Sequence, residues 1–439
     1  EGTAVRQARV FKDGTTIEES FRRLSSRVQR MMRLFSHLDG LSIARCIIEK
    51  AAERKFLYVP RSLTLPLHSD TGRHSRILQS IFCSSGVWKA SKFDEMIEEC
   101  VKHSLLQTSI TDGETFYSME PPVQSYLQST SGLIQKHPIR HLIVRLLASA
   151  TTDARYDEYF GFNQLLAPHI RLVRLEDVTE GDDHFGFGRF LFEMGDPLAI
   201  VHWQRCVSLW KDSLGDKAVS TVNATSELAA SYKAFGREME ALPLQEEVVE
   251  KRRAIFGPDH FSTHAAMNNL ATTYVSLARP KDALPLQAEL VQRWGRVYGP
   301  DNINTLLAIH NLAGTYQILG RFTEALPLQE QVLQKRRTFL GPDHLDTLNA
   351  MYNLGCNYNS LGRESDALPL YQEIIDKRRS LLGPGHRDTV NAMYNLLVAY
   401  SRLGMKEELQ ALARTTLPLC EGVYDSEQEK TLWVRSLLD

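Results

Sequence analysis

The stretch FGPDHFSTHAAMNNLATTYVSLARPKDALPLQAEL, which begins at Phe256, returns 42 residues later as YGPDNINTLLAIHNLAGTYQILGRFTEALPLQEQV. Aligning on the glycine that opens each unit gives Gly215, Gly257, Gly299, Gly341 and Gly383, with no slippage of the step. A sequence that repeats at this period does not wrap one central core; it is a stack of like supersecondary units, each burying its apolar face on the next. Leu228, Leu270, Leu312, Leu354 and Leu396 keep the step, and so do Tyr232, Tyr274, Tyr316, Tyr358 and Tyr400. The Leu and Tyr of one unit are four residues apart, which puts them on one helix face. Ala-Leu-Pro-Leu recurs from Ala241, Ala283, Ala325 and Ala367. The small Ala predicts close helix contact, and the Pro predicts a first helical turn, where a missing N–H costs nothing. Between these blocks AFGREME, SLARPKD, ILGRFTE and SLGRESD predict tight turns, so each unit reads helix, turn, helix. Ser262, Asn304, Asp346 and Asp388 are placed to cap the helix that follows Gly-Pro, with Asp259 or His260 as alternatives.

Leu, a small residue and Tyr, followed by Ala and the turn glycine, resemble the tetratricopeptide repeat in a long, 42-residue form similar to kinesin light chain arrays. The resemblance implies a mainly α protein with an α-α superhelical solenoid over residues 181–439 and degenerate ends. GFGRFLFEMGDPLA and AIVHWQRCVSLWKDSLGD read as an atypical first helix pair, as a terminal repeat must be if it is to cap the stack.

Upstream the 42-residue echo is lost. Residues 15–40, TTIEESFRRLSSRVQRMMRLFSHLDG, carry apolar residues at helical spacing, and SIARCIIEKAAERKF predicts a second helix. After a polar loop, FDEMIEECVKHSLL predicts a third, and QTSITDGETFYSM alternates around Asp-Gly as a hairpin does. Three helices and then a hairpin is the order of a winged helix. The chain thus divides into a segment 1–14, a winged-helix-like domain 15–135, a helical linker 136–180 with IRHLIVRLLASA and NQLLAPHIRLVRL, and the array. This order resembles the C-terminal part of NB-ARC (STAND) signalling ATPases, NLR-like proteins of fungi and bacteria that end in such repeats. FYSMEPPVQSYL is similar to the closing motif of that family, in which a His after Met reaches the β-phosphate of ADP. Here Met119 is followed by Glu120, and an ionised carboxylate repels phosphate. No GxxxxGK[ST] loop is found, so ATP or ADP would belong to an upstream domain and the chain itself carries no cofactor.

Composition narrows the remaining classes. The formal net charge of −2 supplies no electrostatic basis for nucleic acid or membrane binding. Residues 1–130 hold 18 Lys and Arg against 15 Asp and Glu, so Arg22, Arg23, Arg27, Arg30 and Arg33, interleaved with Leu24, Val28, Met31 and Leu34, read as a solvated face around a core stripe. The KRR runs at Lys251, Lys335 and Lys377 sit where cations meet a helix C-terminus. Six cysteines without CxxC fit a reducing compartment, and a cytoplasmic location is expected. The N-terminus has neither Met nor the apolar core of a signal peptide, and the chain reads as a fragment of a longer product.

No catalytic or metal site is expected. Ser, His and Asp occur without a nucleophile elbow, and the His260-x₃-His264 pair has no further ligands in register. One surface stands out instead. In stacked helix pairs the first helices line a concave groove, and the residues before the packed Leu point into it: Asn269, Asn311, Asn353 and Asn395, one per unit. Asn268, His310, Tyr352 and Tyr394 lie beside them, Asn349 and Asn391 a turn before, and Gln317 and Asn359 a turn or two after. A row of amides can hold the backbone of an extended peptide, or it can bond the neighbouring repeat. The expected function is therefore a non-catalytic sensor module that binds a peptide, a protein or its own nucleotide module, with oligomerisation left open. The alternative is a stand-alone adapter similar to kinesin light chain.

Overall fold

The computed structural model describes residues 15–38, 42–56, 69–130, 133–151, 160–424 and 428–438. The expected segment 1–14 lies outside them. The chain forms two compact units, Glu1–Leu244 and Gln245–Asp439.

In the first unit, α1 (Ile17–Arg23) and α2 (Ser26–Ser36) replace the single helix expected over 15–40. The break has a local cause. Thr16 and Glu19 close a capping box on α1, and the Ser25 hydroxyl accepts the Val28 N–H and starts a new helix two residues after the first ends. The strand β1 (Ile43–Ala44) takes the beginning of the segment expected to be wholly helical, and α3 (Arg45–Glu53) takes the rest. A further helix, α4 (Ser69–Phe82), occupies the expected polar loop. Its buried Leu78, Ile81 and Phe82 fall in the last turns only, so the polar first half hid the helical period. The short pair β2 (Cys83–Ser84) and β3 (Val87–Trp88) follows, then α5 (Ala90–Lys102) and the expected hairpin, β4 (Gln107–Thr111) and β5 (Glu114–Ser118). Asp112 and Gly113 turn that hairpin at φ 52° and 79°, both left-handed as a two-residue turn matched to strand twist requires. Ile43 pairs with Tyr117, so the sheet order is β1-β5-β4.

Four helices continue this unit: α6 (Pro121–Thr130), α7 (Leu133–Ala150), α8 (Phe160–Arg171) and, after a 3₁₀ turn at Leu175–Asp177, α9 (Gly181–Glu193). Together with α10 (Leu198–Leu214), α9 makes the atypical helix pair read from the sequence. The two lie very close because Gly188 has no side chain; a Cβ there would stand 2.9 Å from the Trp203 ring. Arg145 of α7 is fully buried against Asp183 of α9 at 3.0 Å. Burial pushes the Asp183 carboxyl up to about 7 despite that guanidinium.

The first regular helix pair is α11 (Val219–Ala234) and α12 (Glu238–Phe256). The second unit stacks α13 (Phe261–Ser276) and α14 (Pro280–Tyr298), α15 (Ile303–Ile318) and α16 (Phe322–Leu340), α17 (Leu345–Ser360) and α18 (Glu364–Leu382), and α19 (Arg387–Leu403) and α20 (Lys406–Val423), closed by α21 (Glu429–Ser436). This is the repeat solenoid expected. Its core is built on the step: Leu270, Leu312, Leu354 and Leu396 are buried, as are Ala283, Ala325 and Ala367.

Two local expectations need correction. Pro285, Pro327 and Pro369 lie inside α14, α16 and α18, not in their first turns. These helices start directly after the turn arginines Arg279, Arg321 and Arg363, so each ring removes one i→i−4 bond. The caps of the first helices are the alternative candidate His260 and its equivalents Asn302, His344 and His386; their side chains accept the N–H of Ser262, Asn304, Asp346 and Asp388, the residues first placed as caps.

The turn between the paired helices uses Gly320, Gly362 and Gly404 at φ 71–72°. In the unit of α13 and α14 that place is taken by Ala278, at φ 55°. A Cβ in this conformation costs about 1–2 kcal/mol. Ala278→Gly is therefore expected to stabilise the chain by roughly 0.5–1 kcal/mol after the entropy of the added glycine is subtracted. A urea melt of the full chain checks this; a lower midpoint would contradict it.

Candidate functional site

The residue pair that precedes each packed Leu shows what the first-helix face is made of. In the second unit these pairs are Asn268–Asn269, His310–Asn311, Tyr352–Asn353 and Tyr394–Asn395, all half-buried except the exposed Asn269. Asn311, Asn353 and Asn395 each reach back to the pair before. Asn311 Nδ2 donates to Asn268 Oδ1 at 3.0 Å, Asn353 Nδ2 meets His310 Nε2 at 3.4 Å, and Asn395 Nδ2 donates to the Tyr352 hydroxyl at 2.9 Å. The acceptor changes from amide to imidazole to phenol, and the donor and the step do not.

A second set of rungs runs the other way. Gln317 Nε2 donates to the backbone carbonyl of Asn353, and Asn359 Nδ2 to that of Asn395. Gln317 and Asn359 thus join neighbouring first helices. Asn349 Oδ1 accepts from Arg378, and Asn391 Oδ1 from the Tyr424 hydroxyl and Lys430 Nζ. Tyr394 is covered edge-on by Trp433 of α21, ring centroids 5.1 Å apart. The residues expected to form an open strip are therefore brought together, but much of their hydrogen bonding is directed within the array. The side-chain oxygens of Asn311, Asn353 and Asn395 are left with no donor among the described residues.

Electrostatically the strip is neutral. Burial lowers the His310 pKa to about 4, helped by Arg336 and opposed by Asp346, and keeps the ring an acceptor for Asn353. Burial likewise raises the Cys356 thiol and the Tyr352 phenol. No side chain of the row itself is charged, but Arg378 and Lys430 lie over the Tyr352 and Tyr394 rings, 5.3 and 5.2 Å from their centres.

The other singled-out residues have local duties. Glu120 directly precedes α6, and its Oε1 accepts from Gln107 of the hairpin at 2.9 Å. In the KRR runs the middle arginines Arg252, Arg336 and Arg378 donate to the carbonyls of Ser262, Asp346 and Asp388, at the start of the next first helix. Lys335 and Lys377 pair with Asp301 and Asp343 in the linkers. His260 caps α13 through Nδ1, whereas His264 is buried edge-on against Trp294.

Sequence reasoning missed one recurrent device. Arg279, Arg321 and Arg363 each lay a guanidinium 4.5–4.8 Å from the ring centre of Tyr274, Tyr316 and Tyr358 and bind Asp282, Glu324 and Asp366 three residues on. The on-step Arg was visible in the turn segments; its pairing with the Tyr five residues earlier was the available signal.

Residues 220–294, 262–334 and 304–380 each match the tetratricopeptide-repeat family model. The array consists of tetratricopeptide repeats. Similar solved structures include the kinesin light chain nearly identical TPR-like repeats of Podosopora anserina, 25% identical over 47% of this chain and 97% of that one, with a TM-score of 0.41. BtubC (BKLC) of P. vanneervenii is 16% identical over 55% and 92%, with a TM-score of 0.42. No curated protein matches the sequence. Among the described residues no helix is long and apolar enough to cross a membrane.

The neutral His310 gives the array a pH signature. An unfolded histidine takes up a proton below about pH 6.5. Folded His310 does not until about 4. Stability is thus lost as pH falls through this window, and not as it rises. By pH 5 the cost is about 2 kcal/mol. His310→Gln, which keeps an acceptor for Asn353, should abolish about that much of the difference between urea melts at pH 7 and pH 5. An unchanged difference would place His310 in contact with water.

Proposed function

We propose that the chain is the sensor and regulatory part of an NB-ARC-type signalling ATPase, and that the first-helix face of its repeats takes an extended peptide or protein segment. The observation that carries the binding role is the row of amide oxygens on Asn311, Asn353 and Asn395. The rungs fix each amide by its nitrogen, and the oxygen that remains accepts a backbone N–H without reading side chains. One acceptor per repeat suits a ligand that runs along the stack. His310 and Tyr352 add aromatic surface beside these oxygens.

Residues 15–135 are assigned as the winged-helix-like domain and 136–180 as the helical linker to the array. Support comes from helices that precede a hairpin, from β1 closing the sheet on β5, and from the Met119–Glu120 position at the hairpin's end. ATP or ADP would bind an upstream domain, and the linker would carry the change between the two ligand sites. Such a switch works only if the peptide favours one nucleotide state.

Two measurements test this. Peptides selected by display on the full chain should lose at least tenfold in affinity to Asn311→Ala with Asn353→Ala, and to Asn269→Ala alone, while Gln292→Ala on a second helix leaves binding unchanged. Because the double variant also deletes two rungs, it should lower stability by about 1–3 kcal/mol without loss of helix content. Selected peptides that ignore all three asparagines would remove the face from consideration. Sequencing the coding region upstream of Glu1 tests the switch: a strand leading into GxxxxGK[ST] is expected, and an initiator codon directly upstream or sustained heptads would leave an adapter.

A further inference from the structure

The first unit holds a cavity of about 250 Å³ that takes no part in the roles above. Its apolar lining includes the buried Val144 and Leu147 of α7 and the half-exposed Leu172 after α8; its charged lining is Arg140, Arg174 and Asp177. Asp177 is only 5% exposed, yet among the described residues its carboxylate accepts no hydrogen bond. The nearest cation, Arg140 Nη1, stands 3.7 Å away, too far for one. Arg174 Nη1 lies 3.6 Å from Glu176, and neither guanidinium donates a hydrogen bond to a described group. Its oxygens open onto the cavity, so donors to them come from whatever fills that space.

We propose that this cavity binds a free α-amino acid with an apolar side chain. An α-amino acid carries its ammonium and carboxylate on one carbon, so its receptor must offer an acid and a base side by side. Asp177 and Arg140 stand in that relation, close enough to be neighbours and too far apart to satisfy each other. The ammonium supplies the donors that Asp177 lacks, and the carboxylate accepts from Arg140 and Arg174, whose fork geometry suits it. The third substituent on the same carbon then faces Val144, Leu147 and Leu172. The cavity is smaller than the roughly 300–1,000 Å³ of drug-sized sites, which fits one residue and excludes a nucleotide. A residue within a peptide chain has neither charge; it offers Asp177 a single N–H and leaves Arg140 and Arg174 without an anion. His169, also in the wall, is held neutral by burial, so the zwitterion meets no third cation there.

Isothermal titration of the full chain at pH 7 tests the assignment. L-Leucine or L-phenylalanine should bind at one saturable site. 3-Phenylpropionate, which lacks the ammonium, phenethylamine, which lacks the carboxylate, and glycine, which lacks the side chain, should each bind at least tenfold more weakly. Arg174→Gln and Asp177→Asn should each weaken binding at least tenfold. Arg174→Gln should do so with an unchanged melting curve, because its side chain is largely exposed and its removal leaves no buried group behind. Three results would overturn the proposal: no saturable binding of either amino acid at millimolar concentration; 3-phenylpropionate binding as well as L-phenylalanine, which would make this a simple anion site; or amino acid binding indifferent to both variants.

Discussion

The corner at which one repeat ends and the next begins sets the geometry of everything in the array. Gly299, Gly341 and Gly383 adopt φ 86–94° with ψ 159–166°, a region essentially closed to residues with a Cβ. Each carbonyl, and that of Gly257, accepts the hydroxyl of the Thr six residues on: Thr263, Thr305, Thr347 and Thr389, at 2.8–3.0 Å. The glycine ends the second helix and the threonine fixes where the next first helix departs. A corner repeated with the same dihedrals and the same bond gives the same rotation from unit to unit. For that reason side chains 42 or 43 residues apart can meet at all, and the rungs follow from the corner.

Once the step is fixed, polar groups can be used at depth. Asn357, Asn359, Arg336 and Arg378 are all buried. Asn357 Nδ2 reaches the Phe322 carbonyl, and the two arginines reach the carbonyls that open the next first helix. Burial lowers the pKa of both guanidiniums, so these contacts are made against a desolvation penalty and depend on being well placed. Like-for-like stacking supplies the placement. A solenoid with irregular corners would leave such groups unpaired, and an unpaired buried guanidinium is far more destabilising than its bond is stabilising.

How much of this was legible in the sequence depends on whether the signal was local. The period, the helix pairs and the turn glycines were legible, because each is set by residues within one unit. Of the two kinds of cap candidate, the alternative His260 is the cap, and its equivalents Asn302, His344 and His386 cap in the same way, two residues before the Ser, Asn and Asp also considered. The α4 helix was missed because its apolar residues crowd into one end. The Asn row was found, but its partners were not. Asn311 bonds Asn268 and Asn353 bonds His310, 43 residues back. That extra residue over the repeat length is a property of the stack that no single unit encodes.

The rungs also bear on what a ligand at the first-helix face can do. Each Asn holds the unit before it through its nitrogen, so a peptide that accepts no donor from the row and gives N–H groups to the oxygens leaves the rungs in place and adds to them. Hydrogen bonds in a chain polarise one another, and a ligand bound across three units would strengthen the contacts between those units as it binds. Affinity and inter-repeat stability are then linked through the same three amides, and linkage is reciprocal: whatever loosens the stack weakens the ligand, and the ligand stiffens the stack. An array that took a peptide in this way would carry occupancy along its length without any change of fold, as the proposed sensor role requires.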